Sequence, residues 1–584
     1  MSTGLRGWRM AGLWLWAALL IAGPAGAAGQ SPDRVVFTAS DIARLNVQTI
    51  QELLNLAPGV QADSSTVTIR GSSSVRVLLD GLLLNSALSA GSTIKWNLVS
   101  LPSVEEVVIL KGSGSVVHGD DSSGGVIAIT TKRLEGQRGY AQVSFGGSGI
   151  QDHQLGASRA APGWGVRADA AYYHSDGFRL NNDKTVWRLN LKSTLAPDSW
   201  GQAKAAGAAE DPALALNYAL NERGLPGLPG FARPHARERQ RDFGASMAFK
   251  RFGVSSGTFL SNFRNDFSNP PQGMFTELES WAIRQELQGS AEPAGLGRLG
   301  WGLSLQDRWA RGNDINAVAE QSYGLYATKQ IKAEGLPAQL DLGLRHNGYS
   351  NFEPVLNPEA NLVLTLGALS LKAGAAASNN VPTFLQRYYR NSGVEPNPDL
   401  GLERGVNYTL GAAYRFSPRW QTELTAFNNI VKDRITFILG DNGVGRYENV
   451  GEARLDGIDW ALTANPWRWL RVQAAYGYLD AKDASTDLWL PGKSRHTVRL
   501  DLQCLPTLDS QAGIKISHYS PAFIKADNSA TAPGYYTVDI RGEYSFKGFR
   551  VFGKVDNLLD EDYLTGDGYP GPPRTWQLGV VREF

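Results

Sequence analysis

The chain has 584 residues with 57 Lys+Arg against 56 Asp+Glu, a formal net charge of +1. That balance gives no argument for nucleic acid or an acidic membrane surface as a partner, and the single cysteine, Cys504, forms no intramolecular disulfide. Sixteen Trp and 20 Tyr in a chain of negative mean hydropathy suit a membrane barrel with an aromatic belt and polar lumen better than a bundle of apolar helices.

The first feature is the apolar run Met10 to Ile21, preceded by Arg6 and Arg9 and followed by Ala25-Gly26-Ala27. This is the pattern of a secretory signal peptide over residues 1–27, cut before Ala28, and the run is too short to span a bilayer. Nothing later approaches the roughly 18 apolar residues a spanning helix needs, so membrane residence must come from strands. Residues 28–34 read as a short linker, rich in Gly, Ser and Pro.

Residues 35–135 read as a compact α+β domain. Val35-Val-Phe37 is a short strand, and Ser40 is the expected cap of a two-piece helix with apolar positions Ile42, Leu45, Ile50, Leu53 and Leu54. Val67-Thr-Ile-Arg-Gly71, Val75 to Gly81, Val104 to Leu110 and Val126 to Thr130 follow as strands joined by glycine and serine turns. Gly112 to Gly119 has the glycines of a phosphate loop but neither a Gly-Lys-Ser/Thr ending nor a following helix, so positive-φ turns are the better reading. His118, Asp120 and Ser122 carry triad side-chain types within one short stretch, whereas triads are assembled from distant segments. No hydrolytic site is expected, and the chain reads as a non-enzyme. Seven scattered histidines give no metal-ligand spacing, and no cofactor is expected.

From residue 136 to 584 the dominant period is two. Trp187, Leu189 and Leu191 oppose Arg188, Asn190 and Lys192; Leu470, Val472, Ala474, Tyr476 and Tyr478 oppose Arg471 and Gln473. Val498, Leu500, Leu502 and Cys504 oppose Thr497, Arg499, Asp501 and Gln503, and Tyr536 to Phe546 repeats the scheme. Strands of about 10 residues, recurring over this distance, exceed the five or six usual in soluble sheets. The long glycine- and proline-rich stretch from Glu210 to Arg239 reads as an outer loop. The last ten residues, from Thr575 to Phe584, place Trp576, Leu578, Val580 and Phe584 on alternate positions and end on an aromatic.

Taken in order, Thr68-Ile-Arg-Gly71, Leu78-Leu-Asp-Gly81, Val104 to Ser113, His118-Gly119 and Gly124 to Lys132 resemble the plug of TonB-dependent outer-membrane receptors. The resemblance continues at Pro396 to Leu400 with Glu403, at Asn449 to Gly457, and at Asp556 to Tyr563. Ser175-Asp-Gly-Phe-Arg179 and the short loops look most like the vitamin B12 and siderophore branch. What this resemblance implies is an all-β transmembrane barrel of about 22 antiparallel strands occluded by an N-terminal α+β plug. It also implies residence in the outer membrane and insertion there by the barrel assembly machinery, which reads a terminal aromatic such as Phe584. The expected activity is import of a scarce metal chelate or corrinoid with energy from TonB.

The same resemblance frames the site expectations. Plug apices and outer loops are the surfaces open to the exterior, which makes Gln61, Asp63, Asn85, Lys95, Trp96, Arg387, Tyr388 and Tyr389 ligand-binding candidates. No histidine lies between Asn379 and Leu400, where haem receptors of the family carry one, which disfavours haem. Val35, Val36 and Phe37 are candidates for contact with TonB by strand addition. The alternative is that Val35 to Ala39 is simply the first plug strand. Arg70 and Lys111 align with basic plug positions that meet acids on the barrel wall, and alternation turns Asp459 toward the lumen, so the three are expected to pair. Asp459 as one solvated lumen charge among many is the competing reading. Asp176 and Asp183, with Asn181 and Asn182, supply oxygens at a spacing calcium uses, although a hydrated loop is preferred.

Overall fold

A computed structural model describes residues 33–584 apart from 90–92, 113, 196–208, 294–296, 333–334, 336, 392, 440–443, 508 and 566–567. The expected signal peptide and all of the linker but Asp33 and Arg34 lie outside the described residues.

Strand β1 (Arg34–Thr38) leads into helices α1 (Ala39–Leu45) and α2 (Ile50–Leu54). Thr38 rather than Ser40 caps α1: its hydroxyl accepts the Asp41 N–H at 3.3 Å, and the Asp41 carboxylate accepts the Thr38 N–H at 3.0 Å. This reciprocal box satisfies two orphan donors, which Ser40, already inside the first turn, cannot do. Strands β2 (Val60–Ala62) and β3 (Val67–Ile69) form a hairpin. Strands β4 (Val75–Leu79), β5 (Leu82–Leu83), β6 (Val104–Lys111) and β7 (Gly125–Thr131) join β1 in a sheet of order β1-β6-β7-β4-β5. Only β4 and β7 run parallel.

Two of the sequence motifs are turns and not strand ends. Arg70 (φ 51°) with Gly71 (φ 79°), and Asp80 (φ 47°) with Gly81 (φ 88°), have consecutive positive φ values, the geometry of a tight hairpin turn. At Gly81 a Cβ would also stand 2.6 Å from the Phe259 ring on the barrel wall, so close approach adds to the conformational demand. The plug core, including Leu53, Leu54, Ile69, Val77, Ile109 and Ile127, is continuous with Phe259 and Phe263 of the barrel. Plug and wall therefore share one apolar cluster.

Twenty-two antiparallel strands among the described residues close into the barrel. The first, Gln137–Gly146, pairs with the last, Thr575–Glu583, from Tyr140↔Glu583 to Gly146↔Gln577. Outward positions such as Val143, Leu189, Val498, Ile514 and Tyr544 are exposed, while inward Asp501, Gln503 and Ser517 are buried. Without water in the bilayer, closure satisfies every strand edge, and period two sorts oil from polar groups. At one end the strands are joined by turns such as 162–163, 252–253 and 367–368; at the other, by connections such as 225–236, 381–402 and 557–574. Short turns mark the periplasmic end of such barrels and long loops the exterior.

The outer loop expected over Glu210 to Arg239 is shorter than the sequence suggested. Ala209–Gly224 and Arg237–Arg251 are strands, leaving 225–236 as the connection. Leu214, Leu216, Tyr218 and Leu220 do alternate with Ala215, Asn217, Ala219 and Asn221, a pattern that the small alanines obscure.

Candidate functional site

A cavity of about 340 Å³ lies between the plug turns and the long-loop end of the wall. Its floor is Gly71 to Ser74 with Asn85, Ser86 and Asp121; its sides include Phe263, Arg308, Glu403, Arg434 and Lys493. Arg308 meets Glu320 at 2.6 Å, and Glu403 accepts the Ile435 N–H at 2.7 Å, so the wall charges are pre-positioned. Asp121 accepts the Val381 N–H at 2.8 Å; burial, then the neighbouring Asp120, push its carboxyl up to about 6.

The loop that carries Asp121 is clamped by asparagines whose contribution the sequence reading missed. Asn347 Nδ2 donates to Asp120 at 2.6 Å, Asn407 and Asn429 donate to the Ser123 carbonyl at 2.9 and 3.1 Å, and Asn380 donates to Ser123 Oγ at 3.1 Å. Their signal was present as asparagine at lumen-facing positions, but which loop they hold depends on strand register. Just before this loop, Ser115–His118 forms a single helical turn between Gly114 (φ 99°) and Gly119 (φ 91°). His118 sits deep in the barrel beside a second cavity; burial and the cations Arg76, Arg284 and Arg345 outweigh Glu286 and lower it to about 4.

The ligand candidates separate into two groups. Asn85 lines the outer cavity while its side-chain amide clamps Val77 N–H and the Val75 carbonyl, each at 2.8 Å. Gln61 borders a smaller gap of about 50 Å³ beside the wall, and Asp63 is exposed at the β2–β3 turn, its carboxylate accepting from Ser65 and Thr66 N–H. Lys95 and Trp96, by contrast, are buried in the plug–wall contact, with Lys95 Nζ 2.9 Å from Asp242. Arg387 is buried too: it pairs with Glu320, donates to the Pro398 carbonyl at 2.8 Å, and lies over Phe352 and Tyr388. It belongs to a short helix, Phe384–Tyr388, capped by Thr383, and Tyr389 follows as the C-cap, its hydroxyl accepting from Asn391. Asp183 is held by Arg237 at 2.6 Å and Asp176 meets His174 at 3.2 Å, so the two carboxylates face different partners.

Arg70, Lys111 and Asp459 are brought together, with Asp33 as a fourth member. Arg70 Nε donates to Asp459 Oδ2 at 2.8 Å and its other arm reaches Asp33; Lys111 Nζ lies 3.4 Å from Asp459 and 3.7 Å from Asp33. All four side chains are at most 7% exposed. Burial alone would raise the Asp33 carboxyl, but Arg70 and Lys111 overcome it and hold it below the usual carboxylate range. The left-handed turn at Arg70 aims its guanidinium at the wall, over the Phe427 ring at 4.3 Å.

Below this cluster a cavity of about 540 Å³ runs between β1 and the wall at the short-turn end, with Asp33, Lys111 and Asp459 in its lining. β1 is an edge strand, paired only with β6 in the plug sheet, so Val35, Val36 and Phe37 stand at that cavity.

Residues 29–126 match the TonB-dependent receptor plug domain and residues 120–558 the TonB-dependent receptor-like β-barrel. The chain is 24% identical over 601 residues to the vitamin B12 transporter BtuB of Photobacterium profundum, covering 94% of this chain and 92% of that one. BtuB of Vibrio vulnificus is likewise 24% identical over 606 residues, with the same coverage. Among solved structures, the copper transporter OprC superposes with a TM-score of 0.80 at 16% identity, covering 96% of this chain and all of that one. The siderophore receptor PirA of Acinetobacter baumannii gives 0.78 at 16% identity over 95% and 99%. A closed barrel with a plug inside it, matched along three quarters of its length by the barrel family alone, leaves one assignment: the chain belongs to the TonB-dependent receptors of the outer membrane.

Proposed function

We propose that this receptor binds a cobalamin or ferric siderophore-type chelate at its outer face and imports it with TonB-derived energy. The observation that carries the reading is the outer cavity, floored by plug turns and walled by barrel residues, in a lumen the plug fills. A site made from both parts lets ligand occupancy be sensed by the plug. The cations Arg308, Arg434 and Lys493 suit a large, partly anionic chelate, Asn85 adds a polar group at the same cavity, and Gln61 and Asp63, on the β2–β3 hairpin, are the further polar candidates. Relatives named as B12 transporters and structural neighbours named as siderophore receptors favour this class of cargo. We read the chain as a receptor and not an enzyme.

Energy would enter through Val35, Val36 and Phe37, an edge strand to which an extended TonB segment adds or from which it draws the chain away. The test is growth of a strain lacking its own receptors, supplied with cobalamin or a ferric chelate as limiting nutrient, with and without TonB. Growth restored only with TonB supports the proposal. Growth independent of TonB favours a non-energised pore or surface-binding barrel, and absence of growth on every cobalamin or chelate removes the cargo assignment.

A further inference from the structure

Five of the seven histidines share one location. His153, His174, His346, His496 and His518 lie on outward-facing positions of five different strands, all near the long-loop end. His153, His346, His496 and His518 are each followed, one outward position toward the short-turn end, by exposed Leu155, Leu344, Val498 and Ile516. They therefore mark the upper border of the apolar band. The opposite border carries Trp164, Phe252, Trp467, Trp469, Phe546 and Phe549 and no histidine.

Each of these rings has an aromatic neighbour or an acid. His153 lies between Phe145 and Tyr172 at 5.3 and 6.1 Å; His346 meets Tyr323 at 5.9 Å; His496 meets Tyr478 at 5.3 Å and the Tyr476 hydroxyl at 2.9 Å. His518 faces Tyr536 and Val498 across its two strand pairings. Strand partners of His153 are Val143 and Tyr172, and of His346 Leu325 and Leu356. Only His174 has an acidic partner among the described residues, Asp176 at 3.2 Å.

We propose that these histidines form an outer-leaflet belt that, when protonated, binds the phosphates of anionic lipid headgroups. Aromatic faces stabilise an imidazolium, and the border of the apolar band is the depth at which headgroups sit. Among the described residues four of the five rings have no carboxylate partner, which leaves them open to an anion from outside the chain. Headgroup phosphate is the anion present there at high density. A histidine carries charge only when protonated, which makes the contact conditional where arginine would make it permanent.

The test uses the full-length protein in vesicles of equal phosphatidylglycerol and phosphatidylcholine, extracted with its surrounding lipid in polymer discs at about pH 5.5 and about pH 8. The lipids extracted with it are counted by mass spectrometry. Phosphatidylglycerol should be enriched about fivefold at the lower pH, the effect of one basic side chain near an anionic surface, and not at the higher. The combined variant H153Q, H346Q, H496Q and H518Q should lose the enrichment while keeping the heat-modifiable mobility of a folded barrel. Replacing the same four with arginine should enrich phosphatidylglycerol at both pH values. Enrichment that ignores pH, survives the glutamine variant or is absent from the arginine variant overturns the proposal.

Discussion

Four side chains, Asp33, Arg70, Lys111 and Asp459, concentrate charge at the plug–wall boundary, and their burial sets the size of the effect. A buried charge stripped of its partner costs on the order of 3–5 kcal/mol, whereas an exposed pair is worth at most ~1 kcal/mol. Asp459→Ala should therefore destabilise the plug by the larger amount, and Arg70→Ala with Asp459→Ala by clearly less than their sum, read from denaturant-driven plug release. Simple additivity would mean the two do not interact. A second residue-scale prediction concerns pH. His118, lowered to about 4, is neutral in the folded plug, so its stabilisation is full above its ordinary value of 6.5 and is lost as pH falls toward 4. Asp121, raised to about 6, acts in the opposite sense: its contribution is full below its ordinary 3.8 and is lost as pH rises through 6. His118→Gln should gain roughly 1–2 kcal/mol over wild type near the acid end, and Asp121→Asn a similar amount near neutrality, after allowing for their contact with the cavities. Thermal melts across this range check both signs.

At the scale of elements, β1 and the closing strand are the informative pieces. Val36 and Val108 are register partners across β1 and β6, so Val36→Cys with Val108→Cys can staple the edge strand. If β1 must leave the sheet for transport, the oxidised double variant binds ligand normally but imports none, and a reductant restores import. Uptake by the oxidised protein would show that β1 stays in place. At the seam, Phe584 exchanges backbone hydrogen bonds with Gly139, and a Cβ on Gly139 would stand 2.2 Å from the Phe584 ring. Gly139→Val should cost on the order of 1–3 kcal/mol through overpacking and, like loss of Phe584, reduce the heat-modifiable folded form. The existence of these elements was legible from alternation and turn residues. The differences are local: Ser40 is the expected cap where Thr38 provides it, and Ile-Arg-Gly, expected as strand, is a turn because one sequence cannot reveal a left-handed arginine.

For the whole molecule, plug and barrel are separate folding patterns that share an apolar cluster, and the plug fills the lumen. Removing residues 1–133 and restoring a signal peptide should leave a barrel that conducts in planar bilayers; a barrel that stays sealed would mean the wall collapses without its plug. The barrel's polar inner wall makes an aqueous path the expected outcome. The last plug strand ends at Thr131 and the first barrel strand begins at Gln137, so such a deletion cuts between the two parts.

The sequence by itself determined that the chain crosses the membrane with strands, which face of each strand is apolar, and the order of plug before barrel. These follow from period two and from ordered motifs, both of which are local. Pairing of Arg70 and Lys111 with Asp459 was reachable because lumen-facing parity is also local and the resemblance supplied the partner type. The burial of Lys95, Trp96 and Arg387 was not reachable, nor was the entry of Asp33 into the charge cluster or the asparagine clamp on Asp120 to Ser123. Those depend on how far the plug is rotated and how deep it sits inside the barrel. That placement is fixed by contacts between residues hundreds of positions apart, such as Arg70 with Asp459 and Ser123 with Asn429, and no period along the chain encodes them.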